Sequence, residues 1–223
     1  MSKSSDIAIE ITPQVLLKAY ACGIFPMAEN AEDSALYWID PELRGILPLD
    51  GFHLSRRLRR TLRADKFEVR VDTDFEAVLE ACAQATPERG STWINDRIRQ
   101  LYTELHGQGH CHSVECWSDG QLVGGLYGIH LGGAFFGESM FSRRTDASKI
   151  ALVHLVARLI SGGFLLLDTQ FVTEHLAQFG TIEIPRAAYQ TQLDIALGVQ
   201  GDFFSMPPVA SADDVLQVLS QTS

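Results

Sequence analysis

The chain predicts an α+β fold, a mixed sheet flanked by helices with a small N-terminal subdomain before it. Three observations predict it. A run of β signals from Ser113 to Phe141 is broken only by turn residues. One long apolar helical stretch, Ser148 to Ile160, follows that run directly. The remainder alternates strand, helix, strand, helix, so the order from Ser113 is β-β-β-α-β-α-β-α.

Taken in order, the elements are these. Pro13 to Ala21 has a short helical pattern and leads into Gly23-Ile24-Phe25-Pro26. Asp40-Pro41 and Leu47-Pro48-Leu49-Asp50-Gly51 are turn signals. They divide the chain into a subdomain over 1–41 and a main domain over 42–223. Leu54, Leu58 and Leu62 recur every four residues and share one helical face. Phe67 to Val71 reads as a strand. Asp74 to Gln84 reads as a helix with Asp72 or Thr73 as its cap. Asn95 to Gly107 is a further helix stopped by Gly107 or Gly109.

Ser113 to Trp117 is a strand, and Ser118-Asp119-Gly120 is a hairpin turn by composition. Gln121 to Ile129 and Gly133 to Phe141 complete a three-strand antiparallel meander. The helix after it is stopped by Gly162-Gly163. Phe164 to Gln170 is a buried strand, Thr173 to Phe179 a short helix, Ile182 to Ile184 a strand, and Arg186 to Leu197 the last helix.

A chain of 223 residues, 46% hydrophobic and 21% charged, suits one substantial core. No apolar run reaches the length of a membrane span, and Met1-Ser2-Lys3-Ser4-Ser5-Asp6 lacks the pattern of a signal peptide. No membrane association and a cytoplasmic location are the expectation. Cys22, Cys82, Cys111 and Cys116 form no C-x-x-C pair, so reduced and mostly buried thiols are expected.

The net charge of −10 argues against a general nucleic-acid coat but leaves room for one local site. Such a site is suggested by Arg56, Arg57, Arg59, Arg60 and Arg63. These are five arginines in eight residues, on the helix of Leu58 and Leu62, with no acid among them. The helix presents a concentrated positive field suited to phosphate; the alternative is a solvated face with partners elsewhere in the fold.

Two places suggest chemistry. Asp168 and Gln170 lie two apart on a strand, so alternation points them to one face at the strand end. Capping the next turn is the equal alternative for Asp168. Glu138 lies in Phe135-Phe136-Gly137-Glu138-Ser139-Met140-Phe141, where a charge must be satisfied or functional. Alternation places Phe136, Glu138 and Met140 together, so Glu138 could hold an amino group at the mouth of an apolar pocket. The alternative is an ion pair with Arg143 or Arg144. Trp93 is either a base-stacking platform or a core residue.

In His110-Cys111-His112-Ser113-Val114-Glu115-Cys116 the thiols fall on opposite strand faces, which argues against a metal site. A G-x-S-x-G elbow, H-E-x-x-H, a Walker lysine loop and a dinucleotide fingerprint are all missing from the sequence. The glycines at 124, 125, 128, 132 and 133 suit bulges or close backbone approach.

Several strings, in order along the chain, resemble the leucyl/phenylalanyl-tRNA–protein transferase family. They are Tyr20 to Pro26 (YACGIFP), Thr92-Trp93-Ile94, His112 to Glu115 (HSVE) and Leu122 to Gly128 (LVGGLYG). Gly137 to Arg143 (GESMFSR), Ala147-Ser148-Lys149 and Glu183 to Arg186 (EIPR) continue the series. The resemblance implies a main domain like the GCN5-related N-acetyltransferase fold.

It implies transfer of Leu or Phe, with Met sometimes accepted, from aminoacyl-tRNA to proteins beginning with Arg or Lys. The product enters the N-degron degradation route. No cofactor and no metal are implied, and a monomer is. By position, Asp168 and Gln170 match the family's proposed catalytic pair, and Glu138 its site carboxylate. Trp93, Tyr20 and Tyr102 match residues around the 3′-terminal adenosine. Leu126, Phe135, Met140, Leu155, Leu159 and Leu167 fall at its amino-acid pocket, and the arginine helix at its tRNA-binding region.

Met27 stands where some members carry an aromatic residue, and Leu155 and Leu159 where Phe occurs. Two rivals differ in class. An acetyl-CoA-dependent acetyltransferase would use a Gly-rich turn before the long helix, but Ser142 to Lys149 contains no glycine. A non-enzymatic RNA-binding module would leave Glu138, Asp168 and Gln170 without a role.

Overall fold

A computed structural model describes residues 11–31, 33, 35–84 and 92–221. Met1 to Asp6, read above against a signal peptide, lie outside the described residues. Helix α1 (Pro13–Ala21) starts at Thr12, whose hydroxyl accepts the Val15 N–H, and carries Pro13 in its first turn, where no backbone donor is lost. A two-stranded antiparallel ribbon follows, β1 (Phe25–Met27) with β2 (Tyr37–Ile39).

The main body comprises β3 (Leu43–Ile46), α2 (Arg56–Arg63), β4 (Glu68–Val71), α3 (Phe75–Ala83), α4 (Asp96–Gly107), β5 (Cys111–Ser118), β6 (Gln121–Leu131) and β7 (Ala134–Ser142). It continues with α5 (Ala147–Ser161), β8 (Leu166–Gln170), α6 (Glu174–Ala177), β9 (Ile182–Pro185), α7 (Arg186–Leu197) and α8 (Ala212–Ser220). The α+β class is as the sequence predicts. Seven strands form one mixed sheet in the order β4-β5-β6-β7-β8-β3-β9. Only β7 and β8 are parallel, joined by α5 as the crossover that a parallel pair requires.

Helices cover both faces. On one, α2, α5 and α8 bury Leu58, Leu62, Leu155, Leu159, Val215 and their neighbours. On the other, α1, α3, α4 and α7 bury Leu16, Tyr20, Val78, Tyr102 and Leu193. Twelve of the fifteen residues of α5 are buried, which explains why its sequence is apolar all round. The buried Arg158 on α5 donates to the carbonyls of Phe203, Met206 and Pro207, tying the stretch before α8 to the core. Gly124 lets β6 approach the start of α5: a Cβ there would sit 2.5 Å from that of Ala147.

The cap of α3 is Asp74, not Asp72 or Thr73: its carboxylate accepts the Ala77 N–H. Asp72 instead sits at φ +54° and accepts from Ser113 N–H and lies 2.7 Å from His112 Nδ1. Thr73 donates to the buried Glu115. The sequence reading did not anticipate the ribbon, β3 or α8. The first two are three or four residues long, too short for periodicity to register.

The feature that places the site is a parting of strands. Pairing of β7 with β8 ends at Phe136 and Asp168. Beyond that point β7 stays with β6, while the end of β8 follows β3, with Gly45 opposite Gln170.

Candidate active site

A cavity of about 840 Å³ occupies the gap between the parted strands. Residues 137–143 form one wall, and Leu167, Thr169, Gln170 and Phe171 the opposite one. Ser148, Leu152 and Leu155 of α5 contribute a third side, and Phe25, Pro26 and Met27 a fourth. Of the residues singled out from sequence, Glu138, Gln170, Trp93, Leu126, Met140, Leu155 and Leu167 line this cavity. Tyr20, Tyr102 and Asp168 are fully buried behind its wall, bonded to Glu138 or Gln170. Phe135 and Leu159 are also fully buried, in the core beneath α5, and do not reach the cavity surface.

Glu138 marks a bulge in β7. Tyr127 faces Ser139 and Gly128 faces Gly137, so Glu138 has no partner on β6. The bulge resets alternation. Phe136 belongs to the core under α1 and α4, whereas Met140 packs against the core under α5. The expectation that Phe136, Glu138 and Met140 share a face therefore fails, because alternation holds only while each residue has one partner.

The Glu138 carboxyl is held by α1, α4 and β8 together. Its Oε1 lies 2.8 Å from the Tyr20 hydroxyl and its Oε2 2.9 Å from the Tyr102 hydroxyl. The two hydroxyls are 2.6 Å apart, and Gln170 Nε2 donates to Oε1 at 3.3 Å. Burial pushes the Glu138 pKa from its ordinary 4.5 to about 7, outweighing the downward pull of the two phenols. Neither nearby arginine pairs with it. Arg143 donates to the Leu122 carbonyl and to Gln84, and Arg144 to Ser118 and Asp119.

Asp168 has a different situation. Arg44 Nε donates to both of its oxygens, at 3.0 and 3.1 Å, and Arg44 Nη2 to Oδ2 at 2.6 Å. The Tyr189 hydroxyl also donates to Oδ2, at 2.6 Å. The Gln170 N–H donates to Oδ1 at 2.8 Å. Arg44 lies 4.5 Å from the centroids of both Phe25 and Tyr189 and donates to the Gly23 carbonyl. Burial works against its charge, but the Asp168 hydrogen bonds, the Asp168 charge and the neighbouring Tyr189 and Tyr20 together more than offset this and hold its pKa above the ordinary value.

Gln170 sits at φ +56°, a left-handed conformation that costs a non-glycine residue roughly 1–2 kcal/mol. That turn breaks strand geometry at its end, and the amide reaches Glu138 while the Asp168 carboxylate faces Arg44. Sequence reasoning passed over Arg44 and Tyr189. The one signal for Arg44 was a lone charge between Leu43 and Ile46; Tyr189 gave none.

Helix α2 seats Leu58 and Leu62 in the core and leaves all five arginines exposed. Arg57 donates to Asp146 at 2.7 Å, the residue at the N-cap of α5. Among the described residues no carboxylate pairs with Arg56, Arg59, Arg60 or Arg63. The ridge thus joins the start of the helix whose Ser148, Leu152 and Leu155 line the cavity. Trp93 is half-buried on the cavity wall, and Met27 lies on that wall too. Cys111 and Cys116 lie in the two opposite cores, and His112 Nδ1 is engaged by Asp72. Cys22 is exposed, and Cys82, Cys111 and Cys116 are buried. No helix of the described residues is long and apolar enough to cross a membrane.

Comparison with known proteins adds independent findings. A family model described as "Leucyl/phenylalanyl-tRNA protein transferase" matches residues 46–194, and the N-terminal domain model of the same family matches residues 9–42. A relative from Rhodopseudomonas palustris (strain TIE-1) is 58% identical over 224 residues, covering 99% of each chain. One from Paramagnetospirillum magneticum is 65% identical over 187 residues, covering 84% of this chain and 90% of its own. One from Phenylobacterium zucineum is 57% identical over 219 residues, covering 96% of this chain and 99% of its own. All three carry the name leucyl/phenylalanyl-tRNA–protein transferase.

Proposed function

The chain belongs to the leucyl/phenylalanyl-tRNA–protein transferase family and is an aminoacyltransferase; from that premise we propose that it moves Leu or Phe, and sometimes Met, from aminoacyl-tRNA onto proteins whose first residue is Arg or Lys. The products are marked for N-degron degradation in the cytoplasm. The observation that carries this reading is one cavity that joins an apolar wall to Glu138 and Gln170 where β7 and β8 part.

Leu126, Met140, Leu155 and Leu167 supply a surface for a side chain unbranched at Cβ. Such a pocket separates neighbouring apolar side chains by about 1–3 kcal/mol, so rejection of Ile and Val rests on shape. Trp93 suits the 3′-terminal adenine. Arg56, Arg57, Arg59, Arg60 and Arg63 suit the phosphates of the acceptor stem. Tyr20 and Tyr102 act through Glu138, and Phe135 and Leu159 shape the pocket from behind. The work divides between a subdomain over 1–41 and a catalytic domain over 42–223 of one monomer.

The chemistry needs alignment more than activation. The acceptor's α-amine attacks the ester carbonyl, and the ribose oxygen leaves. Holding amine and ester in register supplies a large share of the rate. The Gln170 amide oxygen accepts a hydrogen bond from the amine, and Asp168 fixes Gln170 through its backbone N–H. The test mixes the protein with radiolabelled Leu-tRNA and a peptide beginning with Arg, beside one beginning with Ala. Label is expected in the first peptide alone. No label in either, or equal label in both, would refute the proposed acceptor rule.

A further inference from the structure

Glu138, Tyr20 and Tyr102 form a closed triangle of oxygen contacts at 2.8, 2.9 and 2.6 Å. Each contact at such a distance needs one hydrogen between its oxygens. The two phenols supply two. Bare oxygens 2.6 Å apart repel, and both tyrosines are fully buried. The third hydrogen belongs on Glu138.

With the hydroxyl on Oε2, every contact is satisfied in one direction. Oε2–H donates to the Tyr102 oxygen, Tyr102 donates to Tyr20, and Tyr20 donates to Oε1. Oε1 then also accepts from Gln170 Nε2. An ionised Glu138 leaves one contact without a hydrogen.

We propose that Glu138 is a neutral carboxylic acid in the resting protein and, on the transfer reading above, the proton donor to the departing ribose oxygen. As the acceptor nitrogen bonds to the ester carbonyl carbon, the carbon–ribose oxygen bond breaks. The ribose oxygen leaves with the Glu138 proton. The surplus proton of the new amide nitrogen passes to the Glu138 carboxylate, which restores the acid. While Glu138 is ionised, Tyr20 and Tyr102 each donate to one of its oxygens; they are positioning residues.

The surrounding groups permit this state. Arg44 on β3 and Asp168 on β8 are paired, so their charges largely cancel at Glu138. Tyr20 on α1, Tyr102 on α4, Cys111 on β5 and Tyr189 on α7 all have pKa values raised, first by burial, and stay protonated. Tyr127 on β6 completes the groups close to the ring. Among these groups only Glu138, at about 7, titrates in the range where the acceptor amine also does.

The test is infrared difference spectroscopy of the full chain, titrated from about pH 5 to about pH 9. Expected is the carbonyl band of a protonated carboxylic acid that disappears with a midpoint near 7. It is absent from Glu138→Gln. In Tyr102→Phe it moves to higher pH, because the ionised acid keeps one phenol donor instead of two; this variant serves should Glu138→Gln not fold. In single-turnover transfer from Leu-tRNA, the rate of the unmodified chain falls by about tenfold per pH unit once the pH exceeds both the Glu138 midpoint and the pKa of the acceptor amine, the slope of one ionisation. Glu138→Gln lacks that descending limb. No such band at acid pH, or one that persists in Glu138→Gln, overturns the proposal even where transfer proceeds. The band without any transfer supports the resting proton and refutes the tRNA-transfer reading on which its use rests.

Discussion

Asp168 is wholly buried, and a charge in that position persists only when its surroundings answer it. Arg44, Tyr189 and the Gln170 N–H do so, and none of these bonds points into the cavity. The pair therefore fixes where Gln170 can be, while Gln170 and Glu138 meet whatever enters. Removing one partner of a buried pair leaves the other charge exposed to a low-dielectric interior, which costs about 3–5 kcal/mol. Asp168→Asn should lower folding stability by that amount through stranded Arg44. Urea denaturation measures it as a lower midpoint at unchanged slope. An unchanged midpoint would show that the pair does not hold the fold. Any loss of transfer in that variant then combines instability with a displaced Gln170.

Helix α2 is stable as an element because Leu58 and Leu62 anchor it and Ser55 accepts the Leu58 N–H at its start. Nothing in that arrangement needs four exposed arginines without acidic partners on an acidic protein. Two changes to Ala at Arg59 and Arg60 should leave the helix folded and reduce tRNA affinity. Each lost phosphate contact reduces the salt slope by about 0.9, so the pair should flatten it by about 2. Binding of Leu-tRNA at graded salt reads this directly. A slope equal to that of the unmodified chain would remove the ridge from the tRNA interface. The β7 bulge works at the same scale. One unpaired residue sends Glu138 towards Tyr20 and Tyr102 and turns Met140 to the opposite core.

The molecule as a whole makes its cavity where two parallel strands part, with Phe25, Pro26 and Met27 of the N-terminal segment closing one side. Helices on both faces hold the gap open, and α5 closes one side with Leu152 and Leu155. On the proposed reading, the volume there governs which aminoacyl side chain fits. Leu155→Phe should shrink the pocket and disfavour Phe relative to Leu by about 1–3 kcal/mol. The ratio of kcat/KM for Leu-tRNA over Phe-tRNA would rise by roughly tenfold or more. A ratio that stays put would place the amino-acid side chain elsewhere.

Periodicity and turn chemistry sufficed for the meander, for β4, β8 and β9, for the helices α1 to α7, and for the arginine ridge, because those are properties of neighbouring residues. They also marked Glu138 as an uncomfortable charge and placed Asp168 near Gln170. Folding alone decided the rest. Arg44 meets Asp168 across 124 positions, Tyr20 meets Glu138 across 118, and β7 parts from β8 beyond Phe136 while β8 stays paired with β3 on its other edge. A buried charge finds its partner, and a sheet its split, through contacts between distant segments, and no local pattern carries that information.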